Sequence, residues 1–173
     1  MIKGPCVSGL ELAATGIHLF CIFAAIKRNI EYMRIYIGSD HAGVDLKALI
    51  KERFEGRFEF EDMGTFTSDS VDYPDFAHKV AENVLADGAS QGILICGTGN
   101  GMAITANKHA GIRAALCWSP DIAALAKQHN NANIIVLPAR FISPETAFDT
   151  LEAFFSAEFE GGRHKRRIDK INI

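Results

Sequence analysis

Short apolar segments alternate with helical segments along most of this chain, and this alternation limits the possible fold more than any other feature. The segments predicted to be strands are 34–38, 58–63, 92–96, 113–118 and 133–137. The second of them, FEFEDM, alternates between apolar and charged residues, which is typical of an edge strand. Strands separated by helices in this way predict a five-stranded parallel sheet covered on both faces, in a three-layer α/β/α (Rossmann-like) domain.

The segments between the strands have apolar residues at helical spacing and are predicted to be helices. The predicted helices are 43–54, 74–85, 102–110, 119–129 and 143–159. Two of them begin with a serine followed by proline, at Ser119 and Ser143. A serine hydroxyl caps the free N–H groups of a helix start, and proline fits its first turn.

The first 32 residues do not share this pattern. Residues 12–26 are uncharged, but as a helix they would span roughly 22 Å, which is short of a ~30 Å hydrocarbon core. A signal peptide and a membrane-associated form that uses residues 10–26 are alternatives. We expect residues 1–32 to be an extension outside the functional domain, an amphipathic helix or a loosely packed arm. Residues 33–173 are then the functional domain, with Met33 as the natural start.

Charge is unevenly distributed. The chain has a net charge of −3, which excludes a generally basic nucleic-acid binder. Five of its basic residues lie in the tail from Gly161 to Ile173, against the single acid Asp169. A local basic cluster on an acidic body indicates a small anionic ligand.

The four cysteines are Cys6, Cys21, Cys96 and Cys117, and their spacing matches no zinc site. Two disulfides are one arrangement open to a secreted chain. Because Cys96 and Cys117 each end an apolar segment, reduced thiols in a cytoplasmic protein are the simpler expectation.

Two strand ends carry side chains that are suited to catalysis or ligand binding. The first predicted strand is followed by Asp40 and His41, and the third ends at Cys96 and a glycine-rich turn, 97–101. If these strands are neighbours, the three side chains line one crevice. Backbone N–H groups of such a turn stabilise an anion, and we expect the following helix N-terminus to favour the Cys96 thiolate.

Each of these features also has a purely structural interpretation. The glycines fit a tight turn, Cys96 a buried cysteine, Asp40 a helix cap, and His129 a helix C-terminus. The arginines at 140, 163 and 167 fit solvated surface charges, although Arg163 and Arg167 are spaced to clamp one phosphate. Together these features favour a site for a phosphorylated small molecule.

Several segments together resemble ribose-5-phosphate isomerase type B, a family that also includes galactose-6-phosphate and allose-6-phosphate isomerases. They are IGSDHAG, DYPDFA, ILICGTGNGM, ANKHAGIRAALC, QHNNANI and EGGRHKRRIDKI, and the resemblance covers residues 33–171. It implies a metal-free, cofactor-independent aldose–ketose isomerase of the pentose phosphate pathway, which interconverts ribose 5-phosphate and ribulose 5-phosphate through an enediolate.

The resemblance also implies roles for individual residues. Cys96 is the base that moves a proton between C1 and C2; Met102 occupies the position where other members have a glutamate base. His129 opens the sugar ring, and Asp40 handles hydroxyl protons. The enediolate is held by Thr98 and by the turn residues Gly97, Gly99, Asn100 and Gly101. The phosphate ligands are His41, Arg140, Arg163 and Arg167, and the sugar is lined by Asn130 and Tyr73.

Family members are dimers or tetramers whose sites are shared between subunits. The resemblance therefore implies that His129, Asn130 and Arg140 serve the Cys96 of a partner subunit, with no nucleic-acid or membrane partner. Two other functions stay open: isomerisation of a six-carbon sugar phosphate, and a non-catalytic phosphate- or nucleotide-binding module with a flavodoxin-like sheet.

Overall fold

The structure, a computed structural model, describes residues 32–171. In chain order its elements are β1 (Met33–Ser39), α1 (Val44–Arg53), β2 (Phe58–Asp62), α2 (Tyr73–Asp87), β3 (Gln91–Cys96), α3 (Asn100–Ala106), β4 (Ala114–Leu116), α4 (Pro120–Asn130), β5 (Ile134–Pro138), α5 (Pro144–Ser156) and α6 (Gly162–Ile168). The predicted alternation of strands and helices is confirmed.

The five strands form one parallel sheet in the order β2-β1-β3-β5-β4. β1 pairs with β3, which meets the condition for a shared crevice at their ends, and β2 lies at an edge as its alternating pattern predicts. From β1 the sheet extends to β2 on one side, and from β3 it extends to β5 and then β4 on the other. Ligands of open parallel sheets bind where the strand order reverses, which here is beyond the carboxyl ends of β1 and β3.

Alternate side chains of the strands supply two separate cores. Ile93 and Ile135 belong to the core under α1, α4 and α5, where Phe154 is fully buried. Leu94 and Val136 belong to the core under α2 and α3. Both faces of the sheet are therefore covered, as the continuous apolar strands predict.

The predicted serine caps are present. Ser119 Oγ accepts a hydrogen bond from the N–H of Ile122, and Ser143 Oγ from that of Thr146. Helix α5 ends at Ser156, three residues before its predicted end. The chain turns there, and the N–H of Glu160 donates to the carbonyl of Gln128 at the end of α4 (3.0 Å). This turn brings α6 against α4.

Residues 1–31 lie outside the described residues. The extension, its boundary at Met33 and the reduced state of Cys6 and Cys21 therefore stay predictions. Within residues 32–171, no helix is long and apolar enough to cross a membrane. Cys96 and Cys117 are both free thiols.

Candidate active site

Asp40 directly follows β1 and lies at the point where the strand order reverses. Its N–H donates to the carbonyl of Ile95 in β3 (3.1 Å), and its Oδ1 accepts from the N–H of Ala42 (2.9 Å). The residue is 6% exposed. Helix α1 starts after Gly43, so Asp40 does not cap it. Asp40 is therefore a buried carboxylate in a fixed position at the end of the sheet.

Cys96 ends β3 beside this carboxylate and is also buried. The backbone N–H groups of Thr98 and Gly99 face its Sγ. Gly99 has a φ of +77°, and a Cβ there would lie 2.3 Å from Leu116 Cδ1. The turn that brings these amides to the thiol therefore requires glycine at this position.

Opposing effects set the protonation of Cys96. Burial raises the pKa of its thiol, and the Asp40 carboxylate raises it further by accepting its hydrogen bond and by repelling the thiolate. The amides of Gly99 and Thr98 lower the pKa but do not outweigh these two effects. The helix terminus therefore favours the thiolate as expected, but burial and the carboxylate dominate, so the pKa of Cys96 is raised overall.

The rest of the turn leads into α3. Thr98 Oγ1 accepts a hydrogen bond from the N–H of Asn100 (3.4 Å), and both residues are exposed at the crevice. A Cβ on Gly101 would lie 2.6 Å from Cζ of Tyr73. The Tyr73 ring therefore packs directly on the turn, where it can line a sugar.

Arg140 lies on the same side of the molecule as Cys96. Its N–H donates to the carbonyl of Gly97 (3.1 Å), and the neighbouring Ala139 donates to that of Cys96 (2.9 Å). Its guanidinium lies over Gly97, where a Cβ would be 3.3 Å from Nε. The grouping of Arg140 with His129 is therefore wrong, because the end of β5 holds Arg140 against the cysteine turn of its own chain.

His41 forms another wall of this crevice. Its Nδ1 accepts a hydrogen bond from the N–H of Val71 (3.4 Å), in the loop that precedes α2. This bond leaves Nε2 as the protonated nitrogen of the neutral ring. His41 and Arg140 are thus two donors beside the Cys96 turn, and both suit a phosphate oxygen.

His129 and Asn130 lie at the opposite end of the sheet. They end α4, ahead of β5, whose first residue Ile134 pairs with Gly92, whereas Cys96 pairs with Pro138. Those four steps along the strand correspond to about 13 Å at ~3.3 Å per residue. A single described chain therefore does not bring His129 to Cys96.

Helix α6 joins the His129 end. His129 and His164 stack with ring centroids 4.2 Å apart and planes 7° from parallel. Arg163 and Arg167 are exposed on the same short helix. The predicted site residues thus form two groups of residues. One surrounds the Cys96 thiol at the carboxyl ends of β1, β3 and β5, and the other combines His129 with the arginines of α6 at the end of α4.

Three potential metal ligands also meet here. The side chains of His129, Glu160 and His164 offer ligand atoms within 4.8 Å of one another. The two rings are nearly parallel, so their in-plane lone pairs do not converge on one point, and Arg163 Nε already donates to His164 Nε2 (3.2 Å). The group is therefore better suited to proton chemistry than to holding a cation.

No motif in the sequence singles out His164 or Arg113. Arg113 Nε donates to the carbonyls of Asn130 and Asn131 (3.0 and 2.9 Å) and so fixes the end of α4. The burial of His164 depends on the docking of α6 against α4, which no local spacing reveals. Within the basic tail this histidine has no distinguishing signal.

The chain is similar in sequence to known sugar-phosphate isomerases. A family model described as Ribose/Galactose Isomerase matches residues 35–171. Ribose-5-phosphate isomerase B of Escherichia coli (strain K12) is 42% identical over 139 residues, which cover 80% of this chain and 93% of that protein.

Two solved structures are similar throughout the described domain. One is a ribose 5-phosphate isomerase from Thermotoga maritima, with 53% identity, a TM-score of 0.79, and coverage of 82% of this chain and 99% of that one. The other is ribose-5-phosphate isomerase B from Mycoplasma genitalium with bound ribulose-5-phosphate. It has 46% identity, a TM-score of 0.77, and coverage of 80% and 93% respectively.

Proposed function

The chain belongs to the ribose/galactose isomerase family, and on that premise we propose that it interconverts ribose 5-phosphate and ribulose 5-phosphate. The observation that carries this proposal is the crevice beyond β1 and β3, where a buried thiol, a buried carboxylate and a glycine turn meet. Aldose–ketose isomerisation needs a base at carbon and fixed donors for a negative oxygen. The Mycoplasma genitalium relative with bound ribulose-5-phosphate supports the choice of a pentose phosphate.

Cys96 is the base of the proposed mechanism. In the ribose direction it takes the proton from C2 of the open-chain sugar, and the electron pair forms the C1–C2 double bond of the enediolate. The same proton then returns to C1. The Cys96 thiol first gives its proton to Asp40 beside it, and the resulting thiolate, whose pKa is raised, is a strong base for such a weakly acidic C–H bond.

Asp40 handles the other protons. It takes the thiol proton when Cys96 is activated, passes that proton to the enediolate oxygen on C1, and accepts the C2 hydroxyl proton as the ketose forms. The amides of the 97–101 turn, together with Thr98, donate to the enediolate oxygen. Because these donors are held by the fold, they stabilise that charge without reorganisation.

The phosphate and the sugar ring require both groups of residues. His41 and Arg140 supply donors on the Cys96 side, and Arg163 and Arg167 supply guanidinium groups on the α6 side. His129 opens the furanose ring, and Asn130 lines the sugar beside it.

Since the two groups of residues lie at opposite ends of the sheet, we assign the complete site to two copies of the chain. A two-fold dimer, alone or within a tetramer, would join the Cys96 end of each copy to the His129 end of the other. Exposed aromatic surface beside Thr98 supports such a contact: Trp118 is 53% exposed and Phe141 71%.

We place the enzyme in the cytoplasm, in the pentose phosphate pathway. The proposed base must remain a free thiol, and the cytoplasm keeps thiols reduced. A disulfide-forming compartment would oppose this chemistry.

Substrate choice is tested by comparing kcat/KM of the purified protein on ribose 5-phosphate, allose 6-phosphate and galactose 6-phosphate. The proposal predicts that ribose 5-phosphate is the preferred substrate. A preference for either six-carbon phosphate would assign the chain to that branch of the family instead. Absence of isomerisation with all three would refute the proposed function.

A further inference from the structure

His164 is a buried ring beneath a more exposed one. Its side chain is 8% exposed, whereas that of His129 is 35% exposed. The two rings lie nearly parallel, with centroids 4.2 Å apart. His129 is the second-to-last residue of α4, so its own helix constrains the ring on one side only.

His164 is held in its neutral form. Arg163 Nε donates to its Nε2 (3.2 Å), which requires an unprotonated nitrogen there. Burial lowers the pKa of His164, and positive charge on His129, Arg163 and Arg167 lowers it further, although Glu160 opposes this. A neutral His164 ring therefore places no positive charge against the face of His129.

We propose that His164 is a positioning residue for ring opening: its face fixes the plane in which the imidazole of His129 transfers a proton. This role rests on the proposed isomerase function and on ring opening by His129. The observation that carries it is the stack itself, because a proton moves along the in-plane direction of an imidazole nitrogen.

Ring opening has a defined balance of atoms. The C1 hydroxyl loses its proton, the bond between C1 and the ring oxygen breaks, and the C1 carbonyl forms. The ring oxygen gains a proton and becomes the C4 hydroxyl. A tilted His129 ring would miss the ring oxygen, and a misplacement of about 1 Å can cost about 100-fold in rate.

Only one of the two sugars has a ring to open, so a comparison of the two reaction directions tests this role. Ribose 5-phosphate is a furanose and must be opened. Ribulose 5-phosphate is acyclic, because its C5 oxygen is esterified and its C4 hydroxyl would close only a four-membered ring. Loss of ring positioning therefore slows the reaction from ribose 5-phosphate and spares the reaction from ribulose 5-phosphate.

Three variants separate stacking from the bond to Arg163. His164→Phe keeps an aromatic face, His164→Asn keeps an acceptor for Arg163, and His164→Ala keeps neither. The experiment measures kcat and KM of each full-length variant in both directions, with His129→Asn as the reference for lost ring opening.

We expect forward kcat to fall about 10–100-fold in His164→Ala and His164→Asn. Reverse kcat stays within about twofold, and His164→Phe restores most of the forward rate. Reverse turnover shows that each variant is folded and still holds the phosphate.

Other outcomes overturn the proposal. Equal losses in both directions would indicate a merely structural or phosphate-binding role. Rescue by His164→Asn but not by His164→Phe would assign the effect to the Arg163 hydrogen bond. Wild-type forward rates in all three variants would remove the role altogether. Failure of the proposed function itself is distinguishable, because the wild-type protein would then be inactive in both directions.

Discussion

The Asp40 carboxylate lies beside the Cys96 thiol, across the ends of two adjacent parallel strands, and raises the pKa of that thiol. Both residues are buried, and the N–H of Asp40 is itself bonded to the carbonyl that precedes Cys96 (3.1 Å). The pair is therefore built into the sheet. It couples the protonation of the proposed base to a neighbouring charge.

Replacing that charge tests the coupling. Asp40→Asn keeps an acceptor for the N–H of Ala42 but removes the negative charge, so the pKa of Cys96 should fall. The ultraviolet absorbance of the thiolate, titrated against pH and corrected with the matching Cys96→Ser variants, measures this shift. Turnover should fall about 100-fold or more, because the hydroxyl protons lose their acceptor. An unchanged or higher thiol pKa would contradict the role of Asp40.

A shared site predicts complementation between inactive subunits. Cys96→Ala and His129→Asn should each abolish the reaction from ribose 5-phosphate. When the two are mixed after dissociation and allowed to reassociate at random, one site in each mixed dimer is intact, which restores roughly a quarter of the wild-type activity. Activity that stays absent in a verified mixed dimer would place the whole site within one chain.

Substitutions within α6 test the proposal that its arginines bind the substrate phosphate. Arg163→Ala and Arg167→Ala should each raise KM about 10–100-fold with a smaller effect on kcat, because each removes a charge-assisted hydrogen bond. The matched control is Arg166→Ala, an exposed arginine of the same helix. Equal KM values for all three variants would remove the phosphate role.

A buried ion pair supports the loop that carries Val71, the partner of His41. Asp62 accepts hydrogen bonds from Lys47 Nζ (2.6 Å) and Lys51 Nζ (2.7 Å). Lys47 Nζ also donates to the carbonyl of Thr65 (2.7 Å). Asp62→Asn leaves a buried lysine without its counterion, so the free energy of unfolding should fall by about 3 kcal/mol.

The same pair gives the stability a pH dependence. Burial alone would raise the pKa of Asp62, but hydrogen bonds from Lys47, Lys51 and the Gly64 N–H outweigh it and leave the pKa below its ordinary value. The stabilisation is therefore complete above about pH 4, the ordinary range of an aspartate, and is lost as the pH falls through the lower folded-state pKa. Chemical denaturation at neutral and acid pH measures it, with the exposed Glu61→Gln as control. Identical acid profiles for wild type and Asp62→Asn would disprove this contribution.

Much of the fold follows from local signals in the sequence. The five strands, the neighbouring of β1 and β3, and the caps at Ser119 and Ser143 were all predictable from apolar periodicity and cap residues. The early end of α5 was not, because it depends on the contact between Glu160 and Gln128.

The site was predictable by residue but not by arrangement. The sequence and its resemblance to a known family singled out Cys96, Asp40 and His129. The raised pKa of Cys96 reflects burial and a carboxylate from another strand, which a motif does not show. The place of Arg140 on the Cys96 turn and the burial of His164 likewise depend on tertiary packing.

The proposed mechanism requires Cys96 to move the proton between C1 and C2. The most direct test is the turnover of Cys96→Ala in both directions, together with calorimetric binding of ribose 5-phosphate. We predict a loss of at least about 1,000-fold in both directions with the dissociation constant nearly unchanged, because the base is removed and the phosphate ligands remain. Turnover near the wild-type rate in Cys96→Ala would contradict the account.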